Sequence, residues 1–312
     1  MSRVKKEGLK KGRIFVPWIF SFGALLEDLP LNAFLHDPTK VSNALRSIQR
    51  HFGLEAIFAY GDAKLLPDAL VSLCGSAADR SLSPEECHGL ENRMDEVLRN
   101  DRLMVALDVT KRLQMLLPET LLTGWLNGPV TLAVRLTGLS AGEVMAQPRL
   151  LSVCTKAVLT FARALGETGI DIMIVAEEAL PPLDANLARV LTRVYSPIWN
   201  TAKYYGFPAL LMQKEFGKEN VAVLRRTVEA LVFPADAEPE LWGPAKKVSF
   251  SIPVSVMEKS PEEITAYLGR SGVGRALEAA SLFLLTTEGE IPADVDKEAM
   301  IRGIQAIREY LR

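Results

Sequence analysis

LLTGWLNGPVTLAVRLTG, residues 121–138, is apolar through Leu126, breaks at Asn127-Gly128-Pro129 and resumes as Thr131-Leu132-Ala133-Val134-Arg135-Leu136. A strand, a polar turn and then a helix account for this order. Gly128 permits unusual backbone angles, and Pro129 suits a first helical turn, where its missing N–H costs nothing. The strand's carboxyl end then becomes a wall of a candidate site. Either a packing device or a binding device explains GPVT taken alone.

The same grammar recurs on both sides. Arg13–Phe20, RIFVPWIF, reads as the first strand, and Trp18 within it and Phe22 beyond it serve either as pocket walls or as core. Leu54–Tyr60 is the second apolar run and stops at Gly61-Asp62, which puts a carboxylate at the active face of a barrel or at a turn cap. Asp171–Ala176 ends in Glu177-Glu178; on an extended strand these two alternate, so one enters the site while the other anchors the loop. Pro208–Met212 leads into Gln213-Lys214, and further strands are expected at Ala230–Phe233, Val248–Val254 and Ser281–Leu285. Between them lie helices opened by Asp37-Pro38, Ser83-Pro84-Glu85-Glu86 and Ser260-Pro261-Glu262-Glu263, each a capping residue followed by proline. A long helix over Leu183–Tyr205 is expected to bend at Pro197. Ala237–Lys247 reads as a connection.

Eight strand candidates separated mainly by helices point to an α/β fold, a (β/α)8 TIM barrel, with a doubly wound sheet as the second choice. One barrel over residues 1–312 is expected, preceded by a flexible basic arm at residues 1–12. Lys and Arg total 36 against 38 Asp and Glu, a net charge of −2, and the basic residues form no stripe, so nucleic acid is not an expected partner. No apolar run is long enough for a membrane span. Three cysteines, Cys74, Cys87 and Cys154, form no CxxC pair and fit a reduced, cytoplasmic compartment. His36, His51 and His88 lack a ligand pattern.

PWIF (Pro17–Phe20), AYGDA (Ala59–Ala63), NGPVTLA (Asn127–Ala133), IMIVAEEA (Ile172–Ala179) and the terminal FLLTTEGEIPADVDKEAMIRGIQAIREYL (Phe283–Leu311) together resemble the uroporphyrinogen decarboxylase superfamily, which includes corrinoid-linked methyltransferases. The resemblance runs through almost the whole chain in order and implies a barrel that is often paired into a homodimer. Its decarboxylase branch removes acetate carboxylates from a tetrapyrrole without a metal, and Asp62 falls where such an enzyme recognises pyrrole nitrogens. Two departures stand against that chemistry: Ser21–Pro30 contains no arginine to hold substrate carboxylates, and Arg135 lies near where the decarboxylases place a tyrosine.

The methyltransferase branch uses zinc, with a His-x-Cys motif after the fifth strand and another Cys near the last. Leu210–Gly217 and Leu284–Pro292 contain neither residue, and Glu215 and Glu288 do not recreate a thiolate-rich site, so zinc is not expected. GPVTLA itself looks more like the methyltransferases. The leading expectation is therefore a corrinoid-linked methyltransferase component without the usual zinc ligands and with no intrinsic cofactor. Asp62 and Glu177 would act at its centre, while Trp18, Phe22, Asn127, Arg135, Glu178, Gln213 and Lys214 bind a small molecule, with a corrinoid protein as partner. A decarboxylase-like carboxy-lyase and a non-catalytic barrel binding a tetrapyrrole, a corrinoid or a protein are the alternatives.

Overall fold

The apolar runs become eight parallel strands in the computed structural model, which describes residues 3–76, 80–243 and 247–312. They are β1 (Ile14–Val16), β2 (Ala56–Phe58), β3 (Leu121–Asn127), β4 (Ile172–Glu177), β5 (Ala209–Gln213), β6 (Ala230–Pro234), β7 (Val248–Ile252) and β8 (Leu282–Thr287). Hydrogen-bonded neighbours run β1-β8-β7-β6-β5-β4-β3-β2, and β1 and β2 lie beside each other without ladder pairing. The result is the expected (β/α)8 barrel, closed but for one seam. Because helices cover the outside and side chains fill the inside, the strands are almost continuously buried.

The first strand is shorter than RIFVPWIF suggests, because Pro17 has no N–H to give the ladder. Side chains take over where the ladder stops. Trp18 Nε1 donates to the Gly61 carbonyl at 2.7 Å, its backbone N–H donates to Thr287 Oγ1 at 3.1 Å, and its ring meets Phe58 at 5.8 Å between centroids. Gly61 is required by this approach, since a Cβ there would lie 2.6 Å from Trp18 Nε1.

The expected basic arm is a helix instead. Arg3–Lys11 is helical, and Lys5 is only 5% exposed; residues 1 and 2 lie outside the described residues. A distant partner holds it: Lys5 Nζ reaches Asp171 Oδ2 at 2.7 Å, and the same oxygen accepts the Leu122 N–H at 2.9 Å. Gly8 sits against Leu121, and the Arg13 N–H donates to the Leu282 carbonyl, so the helix closes the amino-terminal end of the barrel. In the expected Ala237–Lys247 connection, Pro239–Trp242 forms a short helix and residues 244–246 lie outside the described residues. Pro197 sits inside the helix Ala185–Tyr205. None of the described helices is long and apolar enough to cross a membrane.

Candidate functional site

The register of the central strands brings the polar chain ends together. Asn127 pairs with Ala176 and Glu177 with Gln213, so the tips of β3, β4 and β5 form one layer at the carboxyl end of the barrel. The turn after β3 is built around a helix start with no cap of its own. Gly128 has no side chain to offer, and the first N–H groups of the helix Pro129–Thr137 need acceptors. Glu177 supplies them from β4: its carboxylate accepts from Val130 N–H at 3.2 Å, Thr131 N–H at 2.6 Å and Tyr195 O–H at 2.5 Å. Thr131 Oγ1 in return accepts the Glu178 N–H at 2.7 Å. The GPVT turn and the EE pair thus lock one another, and the anionic side chain sits where the helix dipole favours it.

This arrangement settles which carboxylate turns inward. Glu177 is fully buried, and burial pushes its carboxyl above the ordinary value of 4.5 despite the hydrogen bonds to Thr131, Tyr195 and Val130, which pull the other way. A carboxyl raised by folding contributes stability that is complete below its unfolded value and is lost as pH rises through its folded value. Glu177→Gln is therefore expected to flatten this part of the pH dependence. Urea midpoints of the two proteins should diverge from pH 4 upward in favour of the variant, relative to their difference at pH 4.

Above this layer lies a cavity of about 260 Å3. Trp18, Asn127, Arg135, Glu177, Glu178, Gln213 and Lys214 line it, together with Trp125, Thr131, Met212, Glu288, Gly289 and Glu290. Trp18 and Trp125 pack with ring centroids 4.0 Å apart and form an indole wall. Asn127 Nδ2 and Arg135 both donate to the Ala63 carbonyl, at 2.7 and 3.0 Å, while Arg135 also forms an ion pair with Glu178. Arg135 is thus engaged at the rim. Among the described residues, two buried lining atoms have no protein partner: Gln213 Oε1, in a residue 3% exposed, and Trp125 Nε1, in a residue 8% exposed. A buried acceptor and a buried donor left unmatched are costly and mark places where a ligand can pair. A wider cleft of about 710 Å3 adjoins the cavity and shares Glu178, Gln213 and Lys214 with it.

Two expected site residues stand elsewhere. Asp62 does not line the cavity: Arg102 forms an ion pair with it, and its Oδ1 accepts the Lys64 N–H at 2.9 Å. The same guanidinium holds Asp68 at 2.7 Å, so one forked donor engages both carboxylates. Phe22 opens the short helix Phe22–Leu26 and is buried there as core, not as a pocket wall.

Of the residues that the reading of the chain missed, Trp125 had a usable signal. It lies two positions before Asn127 on an extended strand and therefore shares its face. Glu290 had none, because its place is fixed by accepting the N–H of Ser21, 269 positions away in the chain, beyond the neighbouring strand β1. Burial pushes the Glu290 carboxyl up, and burial together with Asp236 does so for Glu288, against the lowering influence of Lys214.

A zinc centre does not fit. The tip of β5 carries Met212, Gln213 and Lys214, the tip of β8 carries Thr286, Thr287 and Glu288, and these provide neither thiolate nor imidazole. Among the described residues no three His, Cys, Asp or Glu side chains come together as a metal-holding group.

With this geometry in place, the barrel finds its counterparts among solved structures. A methyltransferase from Methanosarcina mazei shares the fold. The two match with a TM-score of 0.70 at 17% identity, over 96% of this chain and 93% of the other. A Listeria monocytogenes protein assigned as a vitamin-B12-independent methionine synthase matches with a TM-score of 0.54 at 11% identity, over 100% of this chain and 93% of that one. No protein-family model matches the sequence, and no curated protein matches it.

Proposed function

We propose that the barrel mouth binds the small-molecule partner of a methyl-transfer reaction, the methyl group passing to or from a corrinoid presented by a second protein. The observation that carries this reading is the cavity itself, at the carboxyl ends of the strands, with the Gln213 and Trp125 polar atoms unmatched. The fold shared with a methyltransferase supports the reaction class. The indoles of Trp18 and Trp125 exclude water from one side, Gln213 orients the ligand through its carbonyl oxygen, and Lys214 with Glu288 sets the charge at the rim. A corrinoid would supply the cobalt centre that carries the methyl group. A cavity of about 260 Å3 does not enclose such a macrocycle, so the adjoining 710 Å3 cleft is the surface on which its carrier would rest.

The decarboxylase alternative fares less well on the same observation. A tetrapyrrole with several carboxylates needs cationic partners, whereas four glutamates line this cavity against Arg135 and Lys214, and Arg135 is already paired with Glu178. The three cysteines are free, which supports the cytoplasmic setting.

Methylcobalamin mixed with the protein and a panel of small thiols and amines tests the reading, followed by the absorbance of the cobalt–carbon chromophore. Demethylation at least about tenfold faster than without protein is expected, and Gln213→Ala should remove about 1–3 kcal/mol of transition-state binding, a drop of roughly tenfold or more. Folded protein that leaves the rate at the protein-free level would favour the non-catalytic barrel.

A further inference from the structure

We infer that the ligand of this cavity is a small methylated ammonium ion, seated against the Trp18 and Trp125 indoles and balanced by Glu288 and Glu290. The inference rests on reading the cavity as the methyl-transfer site and names the substrate class it takes.

Charge comes first. Of the four lining glutamates, Glu177 is spent on the helix start and Glu178 on Arg135. Glu288 and Glu290, the latter also accepting the neutral Ser21 N–H, then face one lining cation, Lys214, so the cavity has an excess of negative charge. Burial raises both carboxyls, and a cation placed between them favours their ionised forms.

The second observation is independent of the acids. Gln213 is almost wholly buried, lines the cavity, and has an acceptor oxygen without a donor. An alkylammonium N–H is the donor that this oxygen lacks.

Shape is the third. Two indoles packed at 4.0 Å, with Phe58 behind both at 5.8 Å, give an electron-rich wall suited to the methyl groups of an ammonium ion. The acidic loop is strapped to this wall: the Ile291 N–H donates to the Trp18 carbonyl at 2.8 Å, and the Ser21 N–H donates to Glu290. Indole and carboxylate are therefore positioned by the same contacts. Trp125 Nε1, also unmatched, offers a hydrogen bond to an oxygen elsewhere on the ligand.

Titration of the full chain with trimethylammonium chloride, read by intrinsic tryptophan fluorescence and by calorimetry, tests this assignment with tert-butanol as the neutral counterpart of similar size. Saturable trimethylammonium binding is expected, with tert-butanol at least tenfold weaker. Glu288→Gln and Trp125→Leu should each weaken the cation at least tenfold, whereas Lys214→Met, which removes the competing cation, should tighten it. Unfolding midpoints measured on the same samples confirm that each variant is folded, and Trp125→Phe replaces Trp125→Leu if the latter is not.

Equal binding of cation and alcohol, no saturable binding, or unchanged affinity in Glu288→Gln overturns the inference. Because no cobalamin is present, loss of ammonium binding beside intact methylcobalamin turnover removes the ammonium assignment alone. Ammonium binding without turnover upholds the assignment and removes the methyl-transfer reading.

Discussion

Gly128→Ala is expected to destabilise the barrel by about 3 kcal/mol or more, a loss at the upper end for adding one methyl group to a packed interior. The new Cβ would overlap the Glu177 carboxyl and lie 2.7 Å from its Cγ. Glu177 cannot withdraw cheaply, because Val130, Thr131 and Tyr195 all donate to its carboxylate. Either the helix start moves or three buried donors lose their acceptor. The backbone at Gly128 is ordinary, with φ of −66°, so the cost comes from the neighbour and not from the turn. Gly142→Ala provides the control: that glycine lies in the helix Ala141–Met145 with open space at its Cβ position, and alanine there should stabilise by about 0.5–1 kcal/mol. Combining Gly128→Ala with Glu177→Ala should cost less than the sum of the two single changes, because each removes part of what the other disturbs. Urea unfolding of the four variants beside the wild type checks all three statements.

Lys5→Met is expected to cost about 3–5 kcal/mol, the range for leaving one member of a buried ion pair without its partner. Lys5 and Asp171 are both nearly buried at 2.7 Å, and the Leu122 N–H is the other donor to the same Asp171 oxygen. Asp171→Asn added to Lys5→Met should recover a good part of the loss, since the remaining side chain is then uncharged. Deleting the whole basic stretch should cost at least as much as Lys5→Met. A solubilising tail would show no such penalty, so the unfolding midpoint separates a structural helix from a tail.

The barrel was legible because its strands obey local rules. Each apolar run from Ile14 to Thr287 ends in a turn residue or a polar one, and helices with capping serines or aspartates lie between them. Six of the lining residues, Trp18, Asn127, Glu177, Glu178, Gln213 and Lys214, lie at or just past the end of a barrel strand, the place from which side chains reach the mouth.

What escaped was decided across distance. Asp62 looks like a site residue until Arg102, forty positions later, takes its carboxylate. Glu177 looks reactive until the start of the helix at Pro129, which lacks a cap, claims it. The amino-terminal lysines look solvated until Lys5 finds Asp171, 166 positions away. In each case the residue type was informative and the partner was not, because an ion pair between distant elements leaves no periodic trace in the chain.

Methylcobalamin turnover by chelator-treated protein tests the barrel-mouth site most directly, with wild type, Gln213→Ala and Asp62→Ala compared at equal foldedness. The geometry predicts turnover that survives the chelator, falls roughly tenfold or more in Gln213→Ala, and is retained by folded Asp62→Ala. Turnover that appears only when zinc is added, or that is lost in Asp62→Ala while Gln213→Ala is unaffected, would contradict it.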